Sequence, residues 1–81
     1  MNKNLSISIS DLNVASVLMT LGYKLLETDK TDPRRVIFVF ENNKDIQKVI
    51  NDYFNDDIKL PAQTLLNNQK LLKNRIWSTD V

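Results

Sequence analysis

The sequence predicts a small α+β domain ordered β-α-β-β-α-α, and three observations predict it. Leu5-Ser-Ile-Ser-Ile9 alternates apolar and polar residues, the period of a half-buried strand. Val36 to Phe40 is an unbroken apolar run rich in β-branched and aromatic residues, the composition of a central strand. Ile46, Val49, Ile50, Tyr53 and Phe54 recur at i, i+3, i+4, i+7 and i+8, the stripe of an amphipathic helix. With the third strand central, the sheet order is 2-3-1 and mostly antiparallel. Three helices pack on it, and residues 1–81 form one domain.

Each element has a local reason. After the first strand, Ser10 carries helix-capping chemistry, with Asp11 in the first turn, where its charge suits the helix dipole. Leu12 to Leu21 is apolar over a wide arc and reads as the first helix. Gly22, the only glycine, follows it, where a left-handed cap favours glycine. Tyr23 to Thr28 reads as the second strand. Asp29-Lys-Thr-Asp-Pro33 is a polar turn. Arg34 to Glu41 is the third strand, apolar on both faces at its centre, which calls for cover on two sides or for a partner. Asn42-Asn43 caps the second helix, and Asn55-Asp-Asp57 ends it. Ile58 and Leu60 suit a short extended contact. Pro61 opens a third helix whose stripe is Leu65, Leu72 and Ile76, with Gln69 as a polar interruption. Ser78 to Val81 reads as a frayed tail.

Composition narrows the functional classes. The chain has 81 residues, so its single core is modest. Cysteine and histidine are both absent, which removes disulfides, Cys/His zinc sites and the commonest catalytic bases. One glycine cannot build a phosphate-cradling loop. Non-enzymatic function and no cofactor are the expectation. Met1 to Ser10 lacks the apolar run of a signal peptide, and no stretch nears the ~20 apolar residues of a membrane span. A cytoplasmic protein with no membrane partner is expected. Net charge is +1, from 11 basic and 10 acidic residues, well short of a dedicated DNA binder. The charges are unevenly spread, with acids concentrated from Glu41 to Asp57 and bases in the last helix.

The acids do not compose a metal site. Asp45, Asp52 and Asp56 sit at i, i+7 and i+11, about three turns of helix, too long for one ion to touch all three. Asp29 and Asp32 are explained by turn chemistry. The basic residues are more suggestive. Lys70, Lys73 and Trp77 fall at i, i+3 and i+7 on one helical face, with Asn67 and Asn74 near it and Arg75 further round. Ammonium groups, amides and a large ring can engage phosphates and bases, or dock an acidic protein with Trp77 as anchor. A bland alternative has Trp77 folded onto the core and the lysines merely solvating. Arg34 and Arg35 enter the third strand on opposite faces, either pairing with Glu27 or Glu41 or contacting an anion. The candidate binding residues are therefore Lys70, Lys73, Arg75, Trp77, Asn74, Arg34 and Arg35.

Gly22-Tyr-Lys-Leu-Leu26, Asp32-Pro-Arg-Arg-Val-Ile-Phe-Val-Phe-Glu41, Asp52-Tyr-Phe54 and Lys73-Asn-Arg-Ile-Trp-Ser78 together resemble a domain-of-unknown-function family of very small phage and bacterial proteins. The resemblance spans about residues 11 to 78 and leaves the first strand outside the family core. It implies a phage, prophage or mobile-element accessory protein and carries over no functional residues. The expected function is a protein-interaction module, an inhibitor or adaptor of a host or phage protein. Two alternatives stand beside it: a nucleic-acid-binding accessory protein using the basic last helix, and a homo-oligomeric structural or assembly component.

Overall fold

The computed structural model describes residues 5–32 and 34–77, the side chain of Trp77 excepted. The elements follow the expected order: β1 (Ser6–Ile9), α1 (Leu12–Thr20), β2 (Leu25–Asp32), β3 (Arg35–Glu41), α2 (Ile46–Phe54) and α3 (Ala62–Trp77). The sheet order is β1-β3-β2, antiparallel throughout. Expectations for Pro33 and for Ser78 to Val81 lie outside the described residues.

The alternation of β3 decides which side holds the core. Phe38 and Phe40 are buried, and Val36 packs behind them. Their register partners Ile9, Ile7 and Leu25 belong to the same core. Val14, Ala15 and Leu18 of α1, Ile46 of α2 and Leu72 of α3 close it. Ile37 and Val39 point the other way and stay outside this cluster, half-buried beside the polar Ser8, Glu27 and Asp29 of the flanking strands. One face of β3 is thus covered by helices, where its apolar run suggested cover on both.

Boundaries shift for identifiable reasons. The first helix is capped by Asp11, not Ser10: the Asp11 carboxylate accepts from Asn13 N at 2.8 Å and Val14 N at 3.2 Å, and its backbone is extended. Tyr23 belongs to the cap rather than to a strand, since its amide donates to Leu18 O at 3.0 Å. Gly22 N donates to Met19 O at 3.1 Å, completing a Schellman motif with Gly22 at φ 97°. β2 starts at Leu25 and runs through the polar segment to Asp32, with register shifts at Leu25/Glu27 and Asp29/Asp32. Arg34 consequently lies in the turn and Arg35 opens β3. At the second helix the cap position is Asp45, not Asn42 or Asn43: Asn43 Oδ1 accepts from Asp45 N at 3.2 Å, so Asn43 shapes the entry turn two residues before the cap.

Candidate functional site

α3 is the element that carries the candidate residues, and its inner side fixes how they are displayed. Leu65 N donates to Pro61 O at 3.0 Å in the first turn, so Pro61 opens the helix as its fixed φ allows. Leu72 is fully buried, with Leu65 and Ile76 half-buried along the same stripe. Gln69 is a cross-link where the sequence suggested an interruption. Its amide donates to the Asn13 side chain at the start of α1. The adjacent Asn68 amide donates to the Thr20 hydroxyl at the end of α1, at 3.0 Å. These two bonds hold α1 across the middle of α3 and fix the rotation of α3 about its axis.

That rotation turns Lys70 and Lys73 outward. They line a depression of about 340 Å³ with Leu66, Asn67 and Gln69. Leu66, Lys70 and Lys73 lie at i, i+4 and i+7, and position 77 continues the series at i+11. Leu66 is 61 % exposed. Sequence reasoning missed it, because it traced only the inner stripe of Leu65, Leu72 and Ile76 and the polar lysine face. The available signal was angular: Leu66 lies about 100° around the helix from Leu65 and heads the lysine series. Asn74 is exposed and, at i+4 from Lys70, lies beside this face without lining the depression. The expectation for the Trp77 ring lies outside the described residues.

Arg75 is not brought to the lysines. Its backbone carbonyl accepts from the Lys30 ammonium at 2.8 Å, which ties the last turn of α3 to the end of the β2–β3 hairpin. A cation there also suits the negative end of the helix. Arg34 and Arg35 occupy the same hairpin end, both exposed, with Asp32 Oδ1 accepting from Arg34 N at 2.9 Å and Arg35 opposite Asp32 in register. The expected arginine pairing with Glu27 or Glu41 does not occur among the described residues, whose single ion pair is Lys48–Asp52 at 2.8 Å. The register explains this: Glu27 sits opposite Val39 and Glu41 opposite Ser6, four and six residues along the ladder from Arg35. At ~3.3 Å per residue those separations exceed side-chain reach. Asp29 at this end is occupied locally: the Thr31 hydroxyl at 2.6 Å and the Thr31 amide at 2.9 Å donate to its carboxylate and hold its pKa below the ordinary aspartate range.

A contrasting surface lies near the other end of α3. α2 finishes in a second Schellman motif: Asp57 N donates to Asp52 O at 2.8 Å and Asp56 N to Tyr53 O at 3.1 Å. Asp56, at φ 60°, occupies the left-handed position that glycine holds at the end of α1. A cavity of about 270 Å³ opens here, lined by Val17, Tyr53, Ile58, Leu60 and Leu65, with Asp56 in its wall. Phe54, 64 % exposed, stands edge-on to the ring of Tyr53 at 5.1 Å. The acids raise the pKa of Lys48, chiefly through the Asp52 hydrogen bond and its charge, with Asp57 and Asp45 adding to it against partial desolvation. Among the described residues no group of three or more acids is arranged to hold a metal ion. The molecule therefore has an acidic corner at the start of α3 and a basic end about 20 Å away, by the rise of the helix.

Among the described residues no helix is long and apolar enough to cross a membrane. A family model described as a domain of unknown function (DUF5659) matches residues 4–78, and the chain belongs to that family. The match takes in β1, which the sequence resemblance had left outside the core. No curated protein and no solved structure matches.

Proposed function

We propose that this member of the family is a phage or mobile-element accessory protein that works in the cytoplasm as a protein-interaction module, an inhibitor or adaptor, through the outer face of α3. The observation that carries the reading is the exposed Leu66 framed by Lys70 and Lys73 on a helix whose rotation is fixed from behind. An aliphatic anchor beside two ammonium groups suits an acidic protein surface with an apolar pocket. The phage origin rests on the family resemblance.

Nucleic acid is the weaker match to this face. Two lysines neutralise about two phosphates, and two phosphate contacts give only weak binding that falls with salt to about the second power. An exposed leucine adds nothing to phosphate contact. A nucleic-acid reading has its own observation, the basic end where Lys30 meets Arg75 beside Arg34 and Arg35. It calls for oligonucleotide binding that collapses with salt and disappears in Arg34→Glu/Arg35→Glu.

Affinity capture from the native host, with and without nuclease, tests the reading. The expected result is one stoichiometric protein partner, retained after nuclease and lost with Lys70→Glu/Lys73→Glu. With that partner purified, Leu66→Ala weakens binding on the order of 10- to 100-fold, as for a central anchor. Capture that vanishes with nuclease, or that ignores these substitutions, overturns it.

A further inference from the structure

We propose that the acidic, apolar corner at the α2–α3 turn is the docking site for the Leu66–Lys70–Lys73 stripe of a second copy of this chain. The inference rests on the reading of that stripe as a binding surface and names one occupant for it.

The two surfaces are complementary in both shape class and charge. The corner offers a cavity of about 270 Å³ with aliphatic walls from Val17, Ile58, Leu60 and Leu65, room enough for an aliphatic side chain. Asp56 stands in its wall, with Asp57 beside it past the C-terminal end of α2, where the helix dipole is also negative, while Asp52 is paired with Lys48 of its own helix. The stripe offers an exposed aliphatic side chain with ammonium groups about 6 and 10 Å further along the helix. An apolar residue entering the cavity would thus carry its cations over the acids.

Two geometric facts select a second copy. The stripe and the cavity share α3, since Leu65 lines the cavity and Leu66 heads the stripe, so the stripe cannot fold onto its own chain's cavity. Adjoining, oppositely charged patches also suit a two-fold axis: each copy's stripe enters the other's cavity in one closed interface. A net charge of +1 puts little bulk repulsion in the way.

Light scattering of the full chain at low salt, from about 1 µM to 1 mM, reads the association. A mass rising to twice that of the monomer, and falling back with added salt, is expected. Lys70→Glu/Lys73→Glu alone and Asp56→Asn/Asp57→Lys alone should each remain monomeric. The asparagine keeps the left-handed backbone accessible, and circular dichroism checks both folds. An equimolar mixture of the two variants should dimerise more than either alone, because one of its two contacts is the native one and the other sets the carboxylates introduced at positions 70 and 73 against the ammonium introduced at position 57. Leu66→Ala, changed at an exposed position, should weaken the dimer about ten-fold or more. A wild-type monomer across the whole range, growth past the dimer, or a mixture that stays monomeric overturns the proposal. Asp56→Asn/Asp57→Lys leaves the stripe intact, so it should still capture a foreign partner. The two readings therefore fail separately.

Discussion

The Asn68 amide donates to the Thr20 hydroxyl, which in turn donates to the Ser16 carbonyl at 2.8 Å. One partly buried chain of bonds so links α3 to the last turn of α1. Removing either end leaves a polar group short of a partner, at about 1 kcal/mol for Asn68→Ala and for Thr20→Val. Urea unfolding of both single variants and the double variant should give a coupling of about 0.5–1.5 kcal/mol. Strict additivity would mean that the bond holds nothing.

Thr28 faces the core opposite Phe38, and its hydroxyl is buried with no hydrogen-bond partner among the described residues. Thr28→Val keeps the branched shape and removes the stranded oxygen. It should stabilise the domain by about 1 kcal/mol, seen as a melting temperature higher by roughly 4–8 °C. An unchanged or lower melting temperature would refute the burial of that hydroxyl.

The two Schellman caps predict opposite signs. An added Cβ at Gly22 meets no atom within 4 Å, so Gly22→Ala is penalised by backbone conformation alone, by about 1 kcal/mol. Asp56→Gly relaxes the same left-handed geometry and removes a negative charge from a helix C-terminus. Extra freedom in the unfolded chain offsets part of that gain, leaving about 0.5 kcal/mol. Denaturant midpoints of the two variants should move in opposite directions.

Asp29 titrates low because the Thr31 hydroxyl, and after it the Thr31 amide, donates to its carboxylate. A folded pKa below the unfolded value of about 3.9 makes its contribution complete above that pH and lost as pH falls through the folded pKa. Thr31→Val deletes the larger cause and keeps the amide bond. Carboxyl NMR titration should then find Asp29 protonating at higher pH, with acid destabilisation starting correspondingly earlier. An unmoved titration would mean that the hydroxyl bond is absent in solution.

What could be read in advance follows the strength of each local signal. Val36 to Phe40 identified the central strand because an unbroken β-branched and aromatic run has few other uses. The sheet order followed from it. Gly22 was legible because a lone glycine after an apolar helix has one favoured role. Asp29 to Asp32 were not legible as strand, because two register shifts hide the alternation and the residues are turn formers pulled into the ladder by β3. Phe54 matched the stripe of α2 yet lies exposed, since it ends the helix at the margin of the apolar arc. Lys70 and Lys73 were placed correctly on a shared outer face. The place of Arg75 further round the helix was legible from the same spacing, whereas the Lys30 bond to its carbonyl, which joins positions 45 residues apart, was not. The acids of the second helix were legible from the sequence, but the cavity beside them was not, because its walls come from three helices and the segment before α3.

β1 and β2 never touch each other's backbone; each is held only by β3. β3 is therefore the single keystone of the sheet, and its two neighbours have no arrangement to fall back on without it. β1 is also made early and must wait more than thirty residues for its partner, Ile7 meeting Phe40. Folding then hinges on one late, long-range closure, and a chain cut before residue 35 has no sheet at all. Loss of β3 should take the helices with it, in one cooperative step.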